Sequence, residues 1–479
     1  MERENAWKSY TDQDKSELNE LCEGYKSFLS QCKTERLATK RAIELASAAG
    51  YAPLAEAIAE KRALKPGDKV WIDNYGKAIM LVQIGTNDIE AGVNILGAHI
   101  DSPRLDLKQN PLYEASDFVL LDTHYYGGIK NYQWVALPLA LKGVVAKKDG
   151  TVVDISLGDD PADPVFCVTD LLPHLGAEQM KKNGREVVEG ESLDVLFGSE
   201  PLIVETTEAK PAKKERTYEE QIASTAQKEA VRAHIMQLLL ERYGIEEEDF
   251  LSAEIEVVPA GDARDCGLDR SMVIGYGQDD RVCAYTSLVA QLAIEDPART
   301  AVCILVDKEE IGSVGATGMT SAFFENTMAE ILNLMGKQGD LALRRCLANS
   351  SMLSSDVSAA FDPSYASVFE PKNSAYCGRG LVFNKYTGSG GKSGSNDANA
   401  EYMAALRKIM DDSGVKYQTA ELGRVNAGGG GTIAYIPAKY GMNVIDSGVA
   451  VLSMHSPWEV TSKADIYEAY KGYKAFLNA

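Results

Sequence analysis

Two adjacent acidic side chains, Glu309 and Glu310, follow an apolar run in the stretch VCILVDKEEIGSVGATG (302–318). Adjacent carboxylates repel each other unless a positive charge lies close to both of them. The apolar run is typical of a buried strand, and the glycine-rich residues after it are typical of a loop. In an open α/β sheet, ligands bind at the carboxyl ends of such strands. Judged alone, however, the stretch is better explained as a solvated acidic turn.

Other residues that can bind metal stand at the ends of other apolar runs. They are His99 and Asp101 in ILGAHIDSP, Asp279 and Asp280 in GYGQDDR, Asp356 in SSMLSSDVSAAFDP, and His455 in VAVLSMHSPWE. Because strand ends at one edge of a sheet lie near one another, we expect these side chains to converge. A pair of divalent cations would then supply the positive charge that Glu309 and Glu310 require.

The donor types favour a zinc centre with two ions. Zinc binds imidazole nitrogen and carboxylate oxygen, and a catalytic zinc keeps one position for water. Two metals about 3.5–4 Å apart can share a carboxylate and activate water for attack on a carbonyl. Glu309 and Glu310 could divide the roles of general base and ligand, since consecutive residues of an extended segment point in opposite directions. Asp101 stands two residues after His99, where a carboxylate can orient the imidazole.

Composition limits the classes of protein to which the chain can belong. Its 479 residues, of which 45% are hydrophobic and 25% charged, allow a large core and two domains. A formal net charge of −21 argues against a nucleic-acid or anionic-membrane partner. No run is apolar for long enough to span a bilayer, and the charged N-terminus has no signal-peptide core. The eight cysteines form no C-x-x-C pair, which favours reduced thiols in the cytoplasm.

The order of apolar runs predicts an α/β domain interrupted by an insertion. Strand-like runs at 78–85 and 94–100 precede a region with many short apolar stretches, after which strands alternate with helices again. We therefore predict a central mixed sheet flanked by helices, with a mostly β domain inserted into it. The predicted bounds are 1–104 and 251–479 for the α/β domain and 105–250 for the insertion, which contains a charged, exposed linker at 206–221.

Six motifs together resemble the M18 metallo-aminopeptidases, the aspartyl aminopeptidase family, and most of all its bacterial branch. In chain order they are GAHIDSPRLDL, SAEIEVVPAG, GYGQDDR, DKEEIGS, SSDVSAAFDP and MHSPWE, and they span nearly the whole chain. The resemblance implies a cytoplasmic hydrolase that removes the N-terminal residue from peptides and holds two zinc ions per subunit in a zinc-peptidase-like domain. Cobalt or manganese are alternatives to zinc, because such sites exchange metals.

The resemblance also implies a role for each matching residue. The metal ligands would be His99, Asp279 as the bridge between the two ions, Glu310, Asp356 and His455. Glu309 would be the general base that deprotonates water to give a metal-bridged hydroxide for attack on the peptide carbonyl, and Asp101 would orient His99. Asp279 aligns with the bridging aspartate of the family, and the adjacent Asp280 is the alternative.

Four further residues are candidates for contacts with substrate. They are Lys385 and Lys392 in KYTGSGGKSGSNDAN, Thr432 in NAGGGGTIAYIP, and His174 in DLLPHLGAEQ. The lysines could attract an acidic side chain or the substrate backbone, and they are equally explained as solvated surface groups. His174 lies in the inserted domain, which forms dimers in the family, so it could reach the site of a neighbouring subunit; a surface histidine is the alternative. The resemblance implies that such dimers assemble into a tetrahedral dodecamer.

Two other functions are compatible with the same residues. A carboxypeptidase or deacylase could use the same metals, and its pocket would accept an α-carboxylate in place of an α-amine. A non-catalytic assembly or cargo protein is disfavoured because every expected ligand position is filled. The preferred N-terminal residue of the substrate stays open between acidic and neutral side chains.

Overall fold

The structure, a computed structural model, describes residues 3–204 and 217–479. Its helices are α1 Asp12–Gln31, α2 Glu35–Ala48, α3 Leu54–Glu60, α4 Tyr218–Thr225, α5 Ala230–Tyr243, α6 Gln278–Leu292, α7 Phe323–Leu334, α8 Asp340–Ala348, α9 Ala400–Asp412, α10 Tyr435–Ala438 and α11 Lys463–Leu477. Its strands are β1 Ala52–Pro53, β2 Lys69–Asn74, β3 Ala78–Gln83, β4 Asn94–His99, β5 Arg104–Ala115, β6 Phe118–Tyr126, β7 Leu139–Ala146, β8 Val152–Leu157, β9 Cys167–Val168, β10 Val195–Gly198, β11 Ala253–Pro259, β12 Arg264–Cys266, β13 Met272–Gly275, β14 Ala301–Val306, β15 Ser351–Ser354, β16 Ser358–Ala359, β17 Leu381–Asn384, β18 Tyr417–Thr419, β19 Asn443–Gly448, β20 Ala450–Leu452 and β21 Glu459–Ser462. Of the linker predicted at 206–221, residues 206–216 lie outside the described residues, and Tyr218 begins α4.

The chain divides into two compact units. The first comprises Met1–Ser102 and Asp262–Ala479, and the second comprises Pro103–Gly261. From the sequence, the insertion was expected to end at residue 250. Strand β11 lies beyond that position, yet it pairs with β5 and β7 inside the second unit. The apolar pattern of β11 would suit a strand in either unit. Which strands it pairs with depends on their mutual register, and the sequence of β11 alone does not show that.

The first unit contains a large mixed sheet and a smaller sheet. The large sheet has the order β1-β2-β3-β14-β4-β15-β19-β17-β18, and the small one has the order β12-β13-β21-β20-β16. Strands β14, β4, β15 and β19 are parallel neighbours. Strand β3 runs antiparallel to β14 and β2, and β17 runs antiparallel to β19 and parallel to β18. The predicted α/β fold with a central mixed sheet is confirmed.

Apolar clusters on both faces of the large sheet explain why its central strands are mostly apolar. One cluster joins Leu96, Cys303, Leu353 and Ile445 to helices α1, α2, α6 and α11, and the other joins Ile95, Val302, Met352 and Val444 to α3, α7 and α8. Consecutive strand residues point to opposite faces. A strand covered by helices on both faces can therefore be apolar along its whole length, as β14 (AVCILV) is.

The second unit is built on a seven-stranded sheet with the order β8-β7-β11-β5-β6-β10-β9, in which every described pairing is antiparallel. Helices α4 and α5 belong to this unit. Across residues 3–204 and 217–479, no helix combines the length and the apolar character that crossing a bilayer requires.

Candidate metal centre

The predicted metal-binding residues lie in separate segments that the fold brings together. His99 is the last residue of β4, Glu309 and Glu310 follow β14, and Asp356 follows β15. Because β14 and β15 both run parallel to β4, the carboxyl ends of these three strands lie at the same edge of the sheet. The convergence that we expected from the apolar runs therefore has a direct origin in the strand order.

Asp279 lies between two imidazoles. Its Oδ1 atom is 3.3 Å from His99 Nε2, and its Oδ2 atom is 3.1 Å from His455 Nε2. Glu310 approaches the second imidazole, with Oε1 3.5 Å from His455 Nε2, and Glu309 Oε2 lies 4.0 Å from His99 Nε2. A carboxylate with one oxygen near each imidazole has the arrangement of a ligand shared by two metal ions.

Asp101 is fully buried and contacts three of the neighbouring residues. The Nδ1 atom of His99 lies 3.0 Å from its backbone carbonyl and 3.2 Å from its Oδ1 atom. Its two carboxylate oxygens accept the backbone N–H groups of Glu309 and Glu310, each at 3.2 Å. One carboxylate thus holds both the His99 ring and the turn that carries the two glutamates, as carboxylates beside metal-binding histidines commonly do.

Glu309 and Glu310 do not continue the strand that precedes them. Strand β14 ends at Val306, Lys308 has a φ of 70°, and Glu309–Ile311 form a single 3-10 turn. The expectation that the two glutamates point in opposite directions along an extended segment is therefore wrong. The turn instead exposes them unequally, since the side chain of Glu309 is 16% exposed and that of Glu310 is 3% exposed. Burial raises the pKa of Glu309 to about 7.

Both members of the adjacent aspartate pair lie at the centre. His99 belongs to two groups of candidate metal ligands, one with Asp279 and Glu310 and the other with Asp280 and Asp356. In each group, one donor atom from every residue lies within 4.8 Å of the others. Asp280 differs from Asp279 in its contacts, because its Oδ2 atom accepts the backbone N–H of His99 at 3.3 Å.

Burial and mutual repulsion shift the pKa values of the carboxylates. Burial, reinforced by neighbouring carboxylates, raises the pKa values of Glu310 and Asp356 well above the usual range. Burial also opposes ionisation of Asp279, but the His455 and His99 imidazoles outweigh it and hold the pKa of this carboxyl below its usual value. The centre therefore gathers several carboxyl groups whose ionised forms are destabilised in a region from which water is largely excluded.

The residues present fit zinc. Imidazole nitrogens and carboxylate oxygens are the donors that zinc takes outside cysteine sites. Among the described residues, the buried Glu310 Oε1 and Asp280 Oδ1 atoms make no hydrogen bond. An uncompensated buried charge costs several kcal/mol, and a divalent cation bound among these carboxylates would remove that cost.

Glu459 was not among the predicted site residues, yet it forms hydrogen bonds with the backbone of two predicted metal ligands. Its carboxylate accepts the backbone N–H of His455 at 2.8 Å and that of Asp279 at 3.0 Å. Glu459 is 1% exposed, and burial raises its pKa to about 8. The available signal in the sequence was an acidic residue at the start of strand β21, four residues after His455 in MHSPWE.

The residues predicted to contact substrate lie in less buried surroundings. Lys385 and Lys392 both form an ion pair with Asp397, the second at 2.8 Å, and all three side chains are nearly half exposed. Thr432 lies in the segment before α10, where its Oγ1 atom accepts a backbone N–H. His174 is an exposed residue of the second unit. Their roles in substrate binding stay predictions.

Comparison with known proteins identifies the family. The family model described as "Aminopeptidase I zinc metalloprotease (M18)" matches residues 28–477. A relative from Clostridium acetobutylicum, "Probable M18 family aminopeptidase 1", is 56% identical over 477 residues, which cover 100% of this chain and 98% of the relative. The crystal structure of an M18 family aminopeptidase from Thermotoga maritima is 42% identical with a TM-score of 0.91, covering 100% of this chain and 99% of that one. A more distant structure, the mApe1 dodecamer from S. cerevisiae, shares the fold at 18% identity, with a TM-score of 0.73 over 96% of this chain and 97% of that one.

The six motifs and the comparisons lead to the same family. The predicted resemblance is confirmed across nearly the whole length of the chain. This chain belongs to the M18 family of peptidases, the aminopeptidase I zinc metalloproteases.

Proposed function

We propose that the chain is a dinuclear zinc aminopeptidase that hydrolyses the N-terminal residue from peptides. The observation that carries this proposal is the position of Asp279, with one oxygen near the imidazole of His99 and the other near that of His455. The family supports zinc and peptide hydrolysis. The names of the relatives favour an aminopeptidase over a carboxypeptidase or deacylase.

The proposed ligands divide between the two imidazoles. His99, Asp279 and Asp356 would hold one ion, and His455, Asp279 and Glu310 would hold the other. When bound, the two ions supply Lewis acidity towards the peptide carbonyl and lower the pKa of water. Asp279 is preferred to its neighbour as the shared ligand because its two carboxylate oxygens lie 3.3 Å from His99 Nε2 and 3.1 Å from His455 Nε2.

Glu309 is proposed to take a proton from the attacking water and to return it to the leaving amine. Its accessibility supports this role, since its side chain is the more exposed of the two adjacent glutamates. Asp101 supports it as well, because its carboxylate oxygens accept the backbone N–H groups of Glu309 and Glu310 and so limit the movement of the turn. Glu310 stays with the metal while Glu309 exchanges the proton.

The remaining assignments concern substrate, assembly and location. Lys385, Lys392, Thr432 and His174 are proposed to contact the peptide. Dimers formed through the inserted unit are proposed to assemble into a tetrahedral dodecamer in the cytoplasm. The dodecamer of the yeast protein, which has the same fold, supports the assembly.

A panel of blocked and free peptides tests this function. The zinc-loaded protein is expected to release the first residue from free peptides and to leave N-acetylated peptides intact. Chelation should abolish turnover, and added zinc should restore it. Cleavage of acetylated peptides at their carboxyl ends would indicate a carboxypeptidase instead. Absence of turnover at full metal content would indicate a non-catalytic protein.

A further inference from the structure

Three polar side chains form a row across the large sheet, on strands β15, β19 and β17. Ser354 lies opposite Asp446 in the parallel pairing of β15 with β19, and Asn384 lies opposite Asp446 in the antiparallel pairing of β17 with β19. Residues that face each other on adjacent strands direct their side chains to the same face of the sheet. The three side chains are therefore neighbours inside the protein.

The oxygens of this row are buried and lack hydrogen bonds. Ser354, Asp446 and Asn384 are 0%, 1% and 6% exposed. Among the described residues, no hydrogen-bond partner exists for Ser354 Oγ, for either carboxylate oxygen of Asp446, or for Asn384 Oδ1. The amide nitrogen of Asn384 donates to Ser358 Oγ, so its unpaired end is the carbonyl oxygen. Within the described part of the chain, three acceptor oxygens and the hydroxyl of Ser354 thus lie together in one place without a partner at normal hydrogen-bond geometry.

The surroundings offer no protein cation to Asp446. Within residues 3–204 and 217–479, no lysine, arginine or histidine makes an ion pair with Asp446. The row continues to Gly97 on β4, where an added Cβ would meet the Met352, Ile304 and Ile433 side chains. That end of the row is therefore closed by apolar atoms.

The carboxylate has a strong electrostatic need for a positive charge. Burial raises the pKa of Asp446 to about 7, although the nearby hydroxyls of Thr432 and Ser354 act in the opposite direction. Thr432 thus adds one further oxygen close to the carboxylate. An ionised carboxylate that is buried without a positive partner is destabilised, and a bound cation would offset that cost.

We propose that Asp446, Ser354, Asn384 and Thr432 bind a monovalent metal cation of the sodium or potassium class. The donors are all oxygens: one carboxylate, one amide carbonyl and two hydroxyls. Hard cations prefer such oxygen donors, and transition metals prefer sites with nitrogen or sulfur. The single negative charge of Asp446 balances one positive charge, whereas a divalent ion would leave an excess positive charge in a buried site.

Binding would join four segments of the first unit. The ligands come from β15, β17, β19 and the glycine-rich segment before α10. Strand β15 leads directly to Asp356, one of the proposed zinc ligands. Because the unfolded chain does not hold these oxygens together, the cation binds only the folded state and must raise its stability.

Thermal unfolding of the full chain tests the proposal. After dialysis into tetramethylammonium chloride at pH 8, the melting temperature is measured with increasing sodium or potassium chloride at constant ionic strength. We expect a rise of several degrees that saturates with sodium or potassium and is absent with tetramethylammonium. Equal melting temperatures in all three salts would overturn the proposal and indicate either a buried water molecule or a protonated Asp446.

Matched variants locate the effect. Asp446→Asn keeps the shape of the side chain, removes the charge, and should abolish the saturable rise. Asp465→Asn is the control, because it removes another buried carboxylate whose oxygens already accept the backbone N–H groups of Gly378 and Gly380 at 2.7 Å. This control should retain the rise in full. A rise that persists in Asp446→Asn would exclude this site.

A milder change and a direct observation cover the case in which Asp446→Asn does not fold. Ser354→Ala should shift the half-saturating cation concentration upward several-fold, and an unchanged midpoint would contradict the assignment. Crystals soaked in rubidium chloride should show an anomalous peak among the four oxygens. A map with no peak there, measured from crystals that diffract well, would also overturn the proposal.

Discussion

The Nδ1 atom of His99 lies 3.0 Å from the backbone carbonyl of Asp101. Because a carbonyl oxygen only accepts hydrogen bonds, this contact requires the proton of a neutral His99 ring to be on Nδ1. The Nε2 atom then carries the lone pair and faces Asp279 at 3.3 Å. The ring can therefore bind a metal through Nε2, and its contact with Asp101 determines this tautomer.

The variant Asp101→Asn tests whether Asp101 supports the metal centre. An amide has only one oxygen, so it cannot accept the backbone N–H groups of both Glu309 and Glu310 as the carboxylate does. We expect zinc affinity or kcat/KM to fall by about 10–100-fold, the usual cost of losing such a support. Metal competition with a chromogenic chelator and steady-state kinetics measure the two quantities. Unchanged values of both would contradict the role of Asp101.

Replacement of the proposed base separates metal binding from proton transfer. Glu309→Gln should retain its metal and lose activity by about 10²–10⁴-fold, because the amide cannot take a proton from water. Elemental analysis and kcat check the two halves of this prediction. Glu401→Gln, which changes an exposed glutamate on α9, is the matched control and should keep full activity. Substantial turnover by Glu309→Gln would speak against the assignment.

Glu459 is expected to position ligands without touching substrate. Glu459→Gln leaves one carbonyl oxygen where two backbone N–H groups, those of His455 and Asp279, now find acceptors. The metal dissociation constant should rise by about 10-fold or more, in the range typical of the loss of a residue that hydrogen-bonds to metal ligands. With excess zinc, much of kcat should return, which a direct catalytic role would not allow. Loss of kcat at saturating zinc, with unchanged metal affinity, would be the opposite result.

A buried carboxyl outside the metal centre predicts a dependence of stability on pH. Burial raises the pKa of Asp465 to about 7 in the folded state, while the pKa of an aspartate in the unfolded chain is about 3.9. Between these values the folded state binds more protons, so the free energy of unfolding should decrease as pH rises, by up to about 1.4 kcal/mol per pH unit from this group. Asp465→Asn should remove this component. Denaturant unfolding from pH 5 to pH 8 measures it, and parallel curves for both proteins would show that Asp465 does not titrate there.

Much of the centre could be predicted from local pattern. His99 and Asp356 stand at the ends of strands that are buried on both faces, and a continuous apolar run indicates where such a strand stops. The choice between Asp279 and Asp280 required knowledge of the backbone conformation. Both residues have non-helical dihedral angles at the start of α6, so helical spacing does not predict the directions of their side chains. Asp279 and Asp280 are adjacent in sequence but contact different residues in the structure.

Other features depend on contacts that no local pattern encodes. The turn at Glu309 is held by the carboxylate of Asp101, which is distant in sequence, so a strand-like continuation was the natural expectation and was wrong. The role of Glu459 likewise depends on backbone groups of other segments. The row of Asp446, Asn384 and Ser354 exists only because three strands share one register.

The central claim is that two metal ions share Asp279. Anomalous diffraction at the zinc absorption edge, on crystals of the zinc-loaded protein, tests it most directly. We predict two peaks, one beside His99 and one beside His455, with an oxygen of Asp279 in contact with each. A single peak, or peaks that do not contact Asp279, would contradict the account.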